Sequence, residues 1–252
     1  MSEVRQVLAA SRGQLARLLD ERSAGDAMAG YYALHHSADW VKLYAYHPGK
    51  GGPTGFLAVA RTGLDLFRPL VVPFVGQASA LKALLLAALE SARPVVLHLP
   101  LEQRSWAQEV VQLTGFRIFE LLRLDPEEYR PVVNVLVMEA TSPGGSPRYE
   151  IRSGKLLRAA SGVNWKGSTF AEAYLEVEPS SRGQGYGKSV LAANAGRLLS
   201  GGVVALYRVA DDDLIGRREA GEAGFRPTGV RTLIGQAVLR QEPSSAPKGR
   251  DP

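Results

Sequence analysis

The sequence contains no cysteine among its 252 residues. This absence excludes disulfides, thiolate nucleophiles, Cys-ligated zinc and iron–sulfur clusters. Histidine occurs only four times, so we expect no metal site. The longest apolar stretch, residues 81–89, contains Lys82 and falls far short of the roughly 18–20 residues that cross a bilayer. The N-terminus carries Glu3 and lacks an apolar core, which argues against a secretory signal. These absences predict a cytoplasmic protein that does not bind membranes.

The charge balance is mildly basic, with a net charge of +5 and a pI of about 9.5. The basic residues form no long run and do not alternate with aromatic residues, so we expect no nucleic-acid partner. Their surplus fits either an ordinary solvated surface or a site for a phosphate-bearing ligand. A hydrophobic content of 45% and a charged content of 22% are typical of one large or two small folded domains.

The same order of predicted strands and helices occurs twice along the chain. Residues 93–99, followed by Gly115-Phe116, match residues 203–209, followed by Gly224-Phe225. In both places we predict a buried strand, then a helix capped by glycine, then another strand. We interpret this match as a duplication.

The duplication predicts a boundary near residue 130. Residues 1–130 would form a first domain, and residues 131–240 would form a second. Periodicity predicts helices over residues 4–19 and 102–113 of the first domain. Residues 241–252 are polar and proline-rich, which predicts a disordered tail.

The most specific motif is a glycine-rich loop, Arg182-Gly183-Gln184-Gly185-Tyr186-Gly187-Lys188-Ser189. It follows a predicted strand over residues 170–177 and precedes a predicted helix that begins at Ser189. Backbone N–H groups at such a junction point at an anion, and the helix dipole favours a pyrophosphate. A P-loop would need glycine at position 182, which is arginine. A Rossmann fingerprint would need glycine at position 188, which is lysine.

The pattern that fits is Arg/Gln-x-x-Gly-x-Gly/Ala, formed here by Arg182, Gly185 and Gly187. With Val-x-Pro before the loop and Gly224-Phe225 after it, the sequence resembles the GNAT acyltransferases, the Gcn5-related acyl-CoA N-acyltransferase superfamily. The resemblance covers about residues 149–239, and the N-terminal half matches only in element order. It implies an α/β (α+β) fold of two tandem GNAT-like domains, each a twisted mixed sheet flanked by helices. The first domain would be degenerate.

The resemblance also implies acetyl-CoA as cosubstrate, lying between parallel strands 170–177 and 203–209 that splay apart. The backbone of strand 170–177 would bind the pantetheine arm and polarise the thioester, and the loop amides would hold the pyrophosphate. The cofactor-binding residues implied in this way are Leu175, Glu176, Val177, Arg182, Gly183, Gln184, Gly185, Tyr186, Gly187, Lys188 and Ser189. Asp213 stands where the family often has an asparagine that contacts the cofactor and is the last cofactor-binding residue implied, although an aspartate is less favourable than asparagine near phosphates.

Many family members place a tyrosine four residues before the glycine of Gly-Phe, as general acid for the departing thiolate. Ala220 occupies that position here, and Tyr207 or Tyr186 are the substitutes we consider. Glu172 lies on the strand 170–177 and is the candidate general base. The implied reaction transfers an acetyl or short acyl group to an amine of a small molecule or peptide by direct attack. The alternatives are a non-catalytic acyl-CoA-binding or sensing protein, which Ala220 favours, and a nucleotide-binding module.

The first half has no comparable loop, since residues 73–77 contain one glycine and no cation. We therefore expect it not to bind acyl-CoA. It would instead pack on the second half and build one wall of the acceptor cleft. The candidate wall residues are Tyr31, Tyr32, His35, His36 and Trp40.

Overall fold

A computed structural model describes residues 2–63, 65–142 and 145–240, and the predicted tail lies outside these ranges. In this part of the chain, twelve strands form one continuous sheet. The strands are β1 Glu3–Val7, β2 Val41–His47, β3 Gly55–Ala60, β4 Leu70–Phe74, β5 Val95–Pro100, β6 Val111–Leu124, β7 Met138–Thr141, β8 Pro147–Ser153, β9 Leu156–Lys166, β10 Phe170–Val177, β11 Val204–Ala210 and β12 Arg226–Leu239.

The strand order is β1-β2-β3-β4-β5-β12-β6-β11-β10-β9-β8-β7. Read from its two ends, the sheet therefore repeats the same succession of strands, six from each half. The last strand of each half crosses into the other, because β12 lies beside β5 and β6 lies beside β11. The β4–β5 and β10–β11 pairs are parallel, and the other neighbouring pairs of the described sheet are antiparallel. The two halves thus share their central strands.

Apart from α1 Ala27–Gly30, which has no counterpart among the described residues of the second half, the helices also occupy equivalent places in the two halves. The others are α2 Ala78–Ala88, α3 Arg104–Gln108, α4 Tyr186–Ser200 and α5 Leu214–Glu222. Helix α2 joins the parallel strands β4 and β5, as α4 joins β10 and β11. Helices α3 and α5 each lead into the last strand of their half. Parallel neighbouring strands cannot be joined by a tight turn and need a crossover connection, which α2 and α4 supply.

Helices α2 and α4 pack on one face of the sheet, and one segment of the first half, which we call the cover, packs on the other face. Between β1 and β2, residues 9–35 form a 3₁₀ segment, α1 and a π-helical turn. Side chains of this cover, such as Tyr32, pack in one apolar cluster with Phe56 of the first half and with Leu206 of the second. In the second half only five residues, 142–146, separate β7 from β8. The first half therefore supplies the layer that covers both halves.

Two of the predicted helices are wrong. Residues 4–19 divide into β1, which pairs with β2 along the sheet edge, and the 3₁₀ segment over Ala9–Leu18. In residues 102–113, α3 ends at Gln108 and the chain enters β6, which pairs with strands on both sides. Pairing to neighbouring strands has overridden local periodicity in both cases.

The correspondence between Gly115-Phe116 and Gly224-Phe225 is also incorrect in detail. Gly115 lies inside β6 with a φ of +55°, near a register shift, whereas Gly224 follows α5 with a φ of +107°. The backbone of Phe116 lies so close to Gly235 of β12 that a Cβ there would clash. Gly115 therefore permits a left-handed residue within β6, beside the close approach of Phe116 to Gly235, and it does not cap a helix.

Candidate active site between two parallel strands

The parallel strands β10 and β11 separate part of the way along their length. They pair from Phe170 with Val204 to Ala173 with Tyr207, and their pairing ends there. Beyond this point β10 continues to Val177 while still paired with β9 on its other side. The edge of β10 that faces β11 is thereby released. Leu175 and Tyr207 line the cleft that opens between the strands, which has a volume of about 70 Å³.

The glycine-rich loop closes one end of this cleft. Gly183 and Gly185 have φ angles of +77° and +75°, a left-handed conformation that glycine adopts without strain. Gly185 is the N-cap of α4, which begins at Tyr186, three residues before the predicted start. The N–H groups of a first helical turn have no acceptor within the helix and carry the positive end of its dipole. Arg182 lines the cleft as well, and we refer to it and these N–H groups as the anion cradle, because their charge would suit an anion.

A carboxylate from α5 lies against this cradle. Glu219 is nearly buried, and its carboxylate contacts Gly187 so closely that a Cβ on Gly187 would overlap it. Burial raises the pKa of the Glu219 carboxyl, and the charges of Arg218 and Lys188 oppose that effect. Before a phosphate group could occupy the same space, this side chain would have to move aside, and protonation would remove the repulsion between its charge and the phosphate. The sequence offered a signal here, since Glu219 adjoins Ala220, the position that the family resemblance singled out.

Asp213 and Tyr207 also line the cleft. The Asp213 carboxylate accepts a hydrogen bond from the backbone N–H of Gly216 at 2.9 Å and so caps α5. In the structure, Asp213 therefore acts as the N-cap of α5. The Tyr207 ring packs edge-on against Phe225, with ring centroids 6.1 Å apart. Burial raises the pKa of the Tyr207 phenol, with further contributions from the charges of Asp213 and Glu219.

The predicted general base lies in a buried cluster on the other face of the sheet. The Glu172 carboxylate accepts hydrogen bonds from Asn164 Nδ2 at 2.9 Å and Trp165 Nε1 at 3.2 Å, and it pairs with the Arg208 guanidinium. Arg208 also contacts the sulfur of Met28 in the cover. With both carboxylate oxygens engaged, the cluster suits a positioning role for Glu172 better than proton abstraction. Arg208, which sequence reasoning missed, is adjacent to Tyr207 but points to the opposite face.

Other residues of the predicted set have local partners. Glu176 is exposed and pairs with Arg148 at 3.3 Å. The Lys188 ammonium pairs with Glu222 of α5 at 2.7 Å, and Gln184 Nε2 donates to the Ser180 carbonyl at 3.1 Å. These contacts tie the loop to neighbouring elements and partly neutralise its cations.

The remaining predicted residues make backbone and packing contacts. Ser189 Oγ donates to the Gly185 carbonyl at 2.9 Å and accepts from Asn134 Nδ2 at 3.0 Å. Val177 lines the cleft, and Tyr186 packs with it against Val190 of α4. The first turn of α4 is therefore held from both sides.

The structure disperses the residues predicted for an acceptor wall. The Tyr31 ring stacks on Trp165 of β9 at 5.5 Å, and Tyr31 and His35 line a shallow groove beside that strand. Tyr32 is buried in the shared apolar cluster, and His36 Nδ1 lies 3.2 Å from the Tyr31 hydroxyl. Trp40 is exposed. Only Tyr31 and His35 among them face a surface groove against the second half.

Two further properties concern the residues described by the structure. Within residues 2–63, 65–142 and 145–240, no group of three or more histidine, cysteine, aspartate or glutamate side chains is arranged to hold a metal ion. None of the helices in these ranges has the length and apolar character that a membrane span requires.

Comparison with known proteins gives matches in structure alone. No protein-family model matches the chain, and no curated protein matches its sequence. A tandem GNAT protein from the clavulanic acid biosynthesis pathway superposes with a TM-score of 0.59 at 14% identity, covering 95% of this chain and 98% of that chain. The chain has the tandem GNAT fold. This likeness confirms the fold that the glycine loop and its flanking elements predicted.

Two further structures agree with the GNAT fold along most of the chain. A GCN5-related N-acetyltransferase from Sphaerobacter thermophilus has a TM-score of 0.60 at 13% identity, covering 93% of this chain and 95% of that chain. An acetyltransferase from the GNAT family of Colwellia psychrerythraea has a TM-score of 0.55 at 12% identity, covering 93% of this chain and 99% of that chain. The shared feature is the arrangement of the strands.

Proposed function

We propose that the protein transfers an acetyl or other short acyl group from acyl-CoA to an amine. One observation carries the proposal: the released edge of β10 and Arg182 of the glycine loop line the same cleft, and Glu219 of that cleft lies against Gly187 in the first turn of α4. The first feature suits an extended amide-containing arm, and the second suits a diphosphate. Coenzyme A joins these two chemical features in one molecule.

Each part of the acyl-CoA would have its own contacts. The N–H groups at the start of α4 and the Arg182 guanidinium would hold the diphosphate, after the Glu219 side chain has withdrawn. The backbone of Leu175, Glu176 and Val177 would bind the pantetheine arm along β10. The observed cleft of about 70 Å³ is smaller than most ligand sites, so binding requires it to widen.

The acyl-CoA would supply an activated thioester. An uncharged amine attacks the carbonyl carbon, the carbon–sulfur bond breaks, and the products are an N-acyl amine and the CoA thiol. The nitrogen loses one proton and the sulfur gains one. Tyr207 is the candidate proton donor to sulfur, because it stands where β10 and β11 separate and its raised pKa keeps the phenol protonated. Glu172 would position β10 through its ion pair with Arg208 on β11.

Non-catalytic acyl-CoA binding is the second candidate function. Two observations favour it: alanine occupies position 220, and the carboxylate of Glu219 lies against the anion cradle. A protein of this kind would bind the cosubstrate and acylate no amine.

The test combines calorimetry with CoA and acetyl-CoA, thiol release over a panel of primary amines and peptides, and the variant Tyr207→Phe. If Tyr207 is the proton donor, turnover falls about 100-fold or more while CoA affinity changes less than about twofold. The matched control Tyr44→Phe in β2 keeps full turnover. CoA binding without thiol release on any amine would favour the non-catalytic alternative. Affinity for ATP without affinity for CoA would overturn both candidates.

A further inference from the structure

A second cavity lies in the first half, where β4 and β5 separate. These strands pair only at Leu70 with Val96 and Val71 with Leu97. Beyond these pairs the cavity has a volume of about 400 Å³, within the range of small-molecule sites. Met28 of the cover and Val72 of β4 supply part of its apolar wall.

Three polar side chains of this cavity carry atoms without hydrogen-bond partners, although Gln103 Nε2 does donate to the Val75 carbonyl at 2.9 Å. His98 of β5, Gln103 just after β5 and Thr232 of β12 all line the cavity, and each is only 6% exposed. Within the described structure, both ring nitrogens of His98, Oε1 of Gln103 and Oγ1 of Thr232 have no partner. Buried polar atoms are almost always partnered in native proteins, because an unmet hydrogen bond is costly. Three such residues on three different segments line one space, and a molecule in that space, water or a ligand, could supply the partners that the described residues do not.

The charges around the cavity argue against an ionic ligand. Arg231 lines the cavity and pairs with Asp211. Asp26 also lines it and accepts hydrogen bonds from Ser23 Oγ and from the backbone N–H of Asp20. Glu102 is exposed and therefore hydrated. The His98 imidazole is neutral, since burial and the nearby charge of Arg208 lower its pKa well below the usual value. It therefore offers one N–H donor and one nitrogen acceptor.

We propose that this cavity binds a small uncharged ligand with adjacent hydrogen-bond donors and acceptors, of which a primary carboxamide is the simplest. The carboxamide NH₂ would donate to Gln103 Oε1 and to the free nitrogen of His98. The carboxamide oxygen would accept from the His98 N–H or from the Thr232 hydroxyl. The ligand's alkyl part would contact Val72 and Met28.

This site is separate from the proposed acyl-CoA site and does not depend on that proposal. The connection from β4 to α2 carries no cation and cannot compensate phosphate charges. The two sites nevertheless share one structural element, since Met28 lines the cavity and also contacts Arg208, the partner of Glu172. A ligand in the first half would thus touch the cover that packs on β11.

The experiment titrates three probes of nearly equal size into protein labelled with ¹⁵N-histidine: propionamide, propylammonium and propionate. Ring signals of His98, assigned from the variant His98→Gln, are recorded by NMR into the millimolar range. We expect saturable shifts with propionamide and none with the two ions. If water alone fills the cavity, propionamide will give no saturable shift, and that result overturns the proposal. So does a stronger response to either ion.

Variants locate the binding. Thr232→Val and Gln103→Leu should each weaken propionamide binding about fivefold, the loss expected for one hydrogen bond. Thr114→Val on the neighbouring strand β6, where the threonine is exposed, is the matched control and should bind as the unchanged protein does. In the ligand-free protein, Thr232→Val should raise the melting temperature, because it removes an unpaired buried hydroxyl. If Thr232→Val and Gln103→Leu both bind propionamide as tightly as the unchanged protein does, the probe binds elsewhere and the assignment is overturned.

Discussion

The two halves of the sheet differ most where the fourth strand of each enters its helix. In the first half β4 reaches α2 through Val75-Gly76-Gln77, with Gln77 as N-cap and an exposed Gly76 that does not adopt a positive φ. In the second half β10 reaches α4 through a loop with two left-handed glycines and a cationic side chain. The parallel strands separate in both halves. Both halves therefore have the gap between their parallel strands, whereas only the second half has the loop that forms the anion cradle.

The groups that line the two gaps differ as well. Neutral polar atoms without partners line the gap of the first half, at His98, Gln103 and Thr232. The ionisable side chains of that gap, Asp26, Glu102 and Arg231, are hydrogen-bonded, ion-paired or exposed. In the gap of the second half, by contrast, Asp213, Glu219 and Tyr207 line the cleft and Glu219 is a buried carboxylate with a raised pKa. Under the two proposals, the same strand arrangement would hold one site for uncharged ligands and one whose affinity for anions depends on a proton. Duplication of a frame leaves each copy free to acquire its own chemistry.

The largest expected effect concerns the buried ion pair between Glu172 of β10 and Arg208 of β11, which lies beneath the cover from the first half. Glu172→Ala leaves the buried Arg208 guanidinium without its partner, and we expect a loss of about 3–5 kcal/mol in the free energy of unfolding. Glu176→Ala on the same strand removes an exposed pair and should cost about 0–1 kcal/mol. Urea denaturation measures both. A small loss for Glu172→Ala would show that the cover and β11 are not coupled through this cluster.

The frame could be predicted from the sequence because its signals are local. The apolar run of β11, the alternation in β10 and the glycine after α5 each specify an element within about ten residues. The strand exchange between the halves could not be predicted in this way. It depends on β6 pairing with β11 and β12, residues about one hundred positions away, and no local pattern encodes that choice.

In the candidate site, too, the local features could be predicted from the sequence and the long-range contacts could not. The loop from Arg182 to Ser189 was identified because the positions of its glycines are themselves the signal. The environment of Glu172 was not, since its partner Arg208 lies 36 residues away and its cover comes from the first half. Alternation along β10 predicts one solvated face, yet Glu172 is buried because residues 9–35 lie over it.

The second effect in size concerns the two loops that differ between the halves. Gly185→Val places a β-branched side chain at a φ of +75° and should weaken CoA affinity at least about tenfold. Gly76→Val, the matched change in the first-half connection, has open space and should leave CoA affinity unchanged. Calorimetry measures affinity, and circular dichroism verifies that both variants are folded. Equal CoA affinity in folded Gly185→Val protein would remove the loop from the binding site.

The smallest expected effect distinguishes the two gaps by their response to pH. Glu219→Gln removes a carboxylate beside the anion cradle, and we expect CoA affinity at pH 7–8 to rise about three- to tenfold. In the unchanged protein, affinity should rise as the pH falls through the raised pKa of Glu219, because protonation removes the repulsion. CoA phosphates titrate in both proteins, so the difference between them isolates Glu219.

The same substitution has a thermodynamic consequence of defined sign. A carboxyl whose pKa is higher in the folded state than the unfolded value of 4.5 makes the protein lose stability as the pH rises from 4.5 through the folded-state pKa. Glu219→Gln should therefore be more stable than the unchanged protein at neutral pH, and the difference should vanish below pH 4.5. Thermal unfolding across this range measures it. If affinity and stability respond to pH identically in both proteins, the carboxylate beside Gly187 does not control the cradle, and the contrast between the two gaps rests on the loop alone.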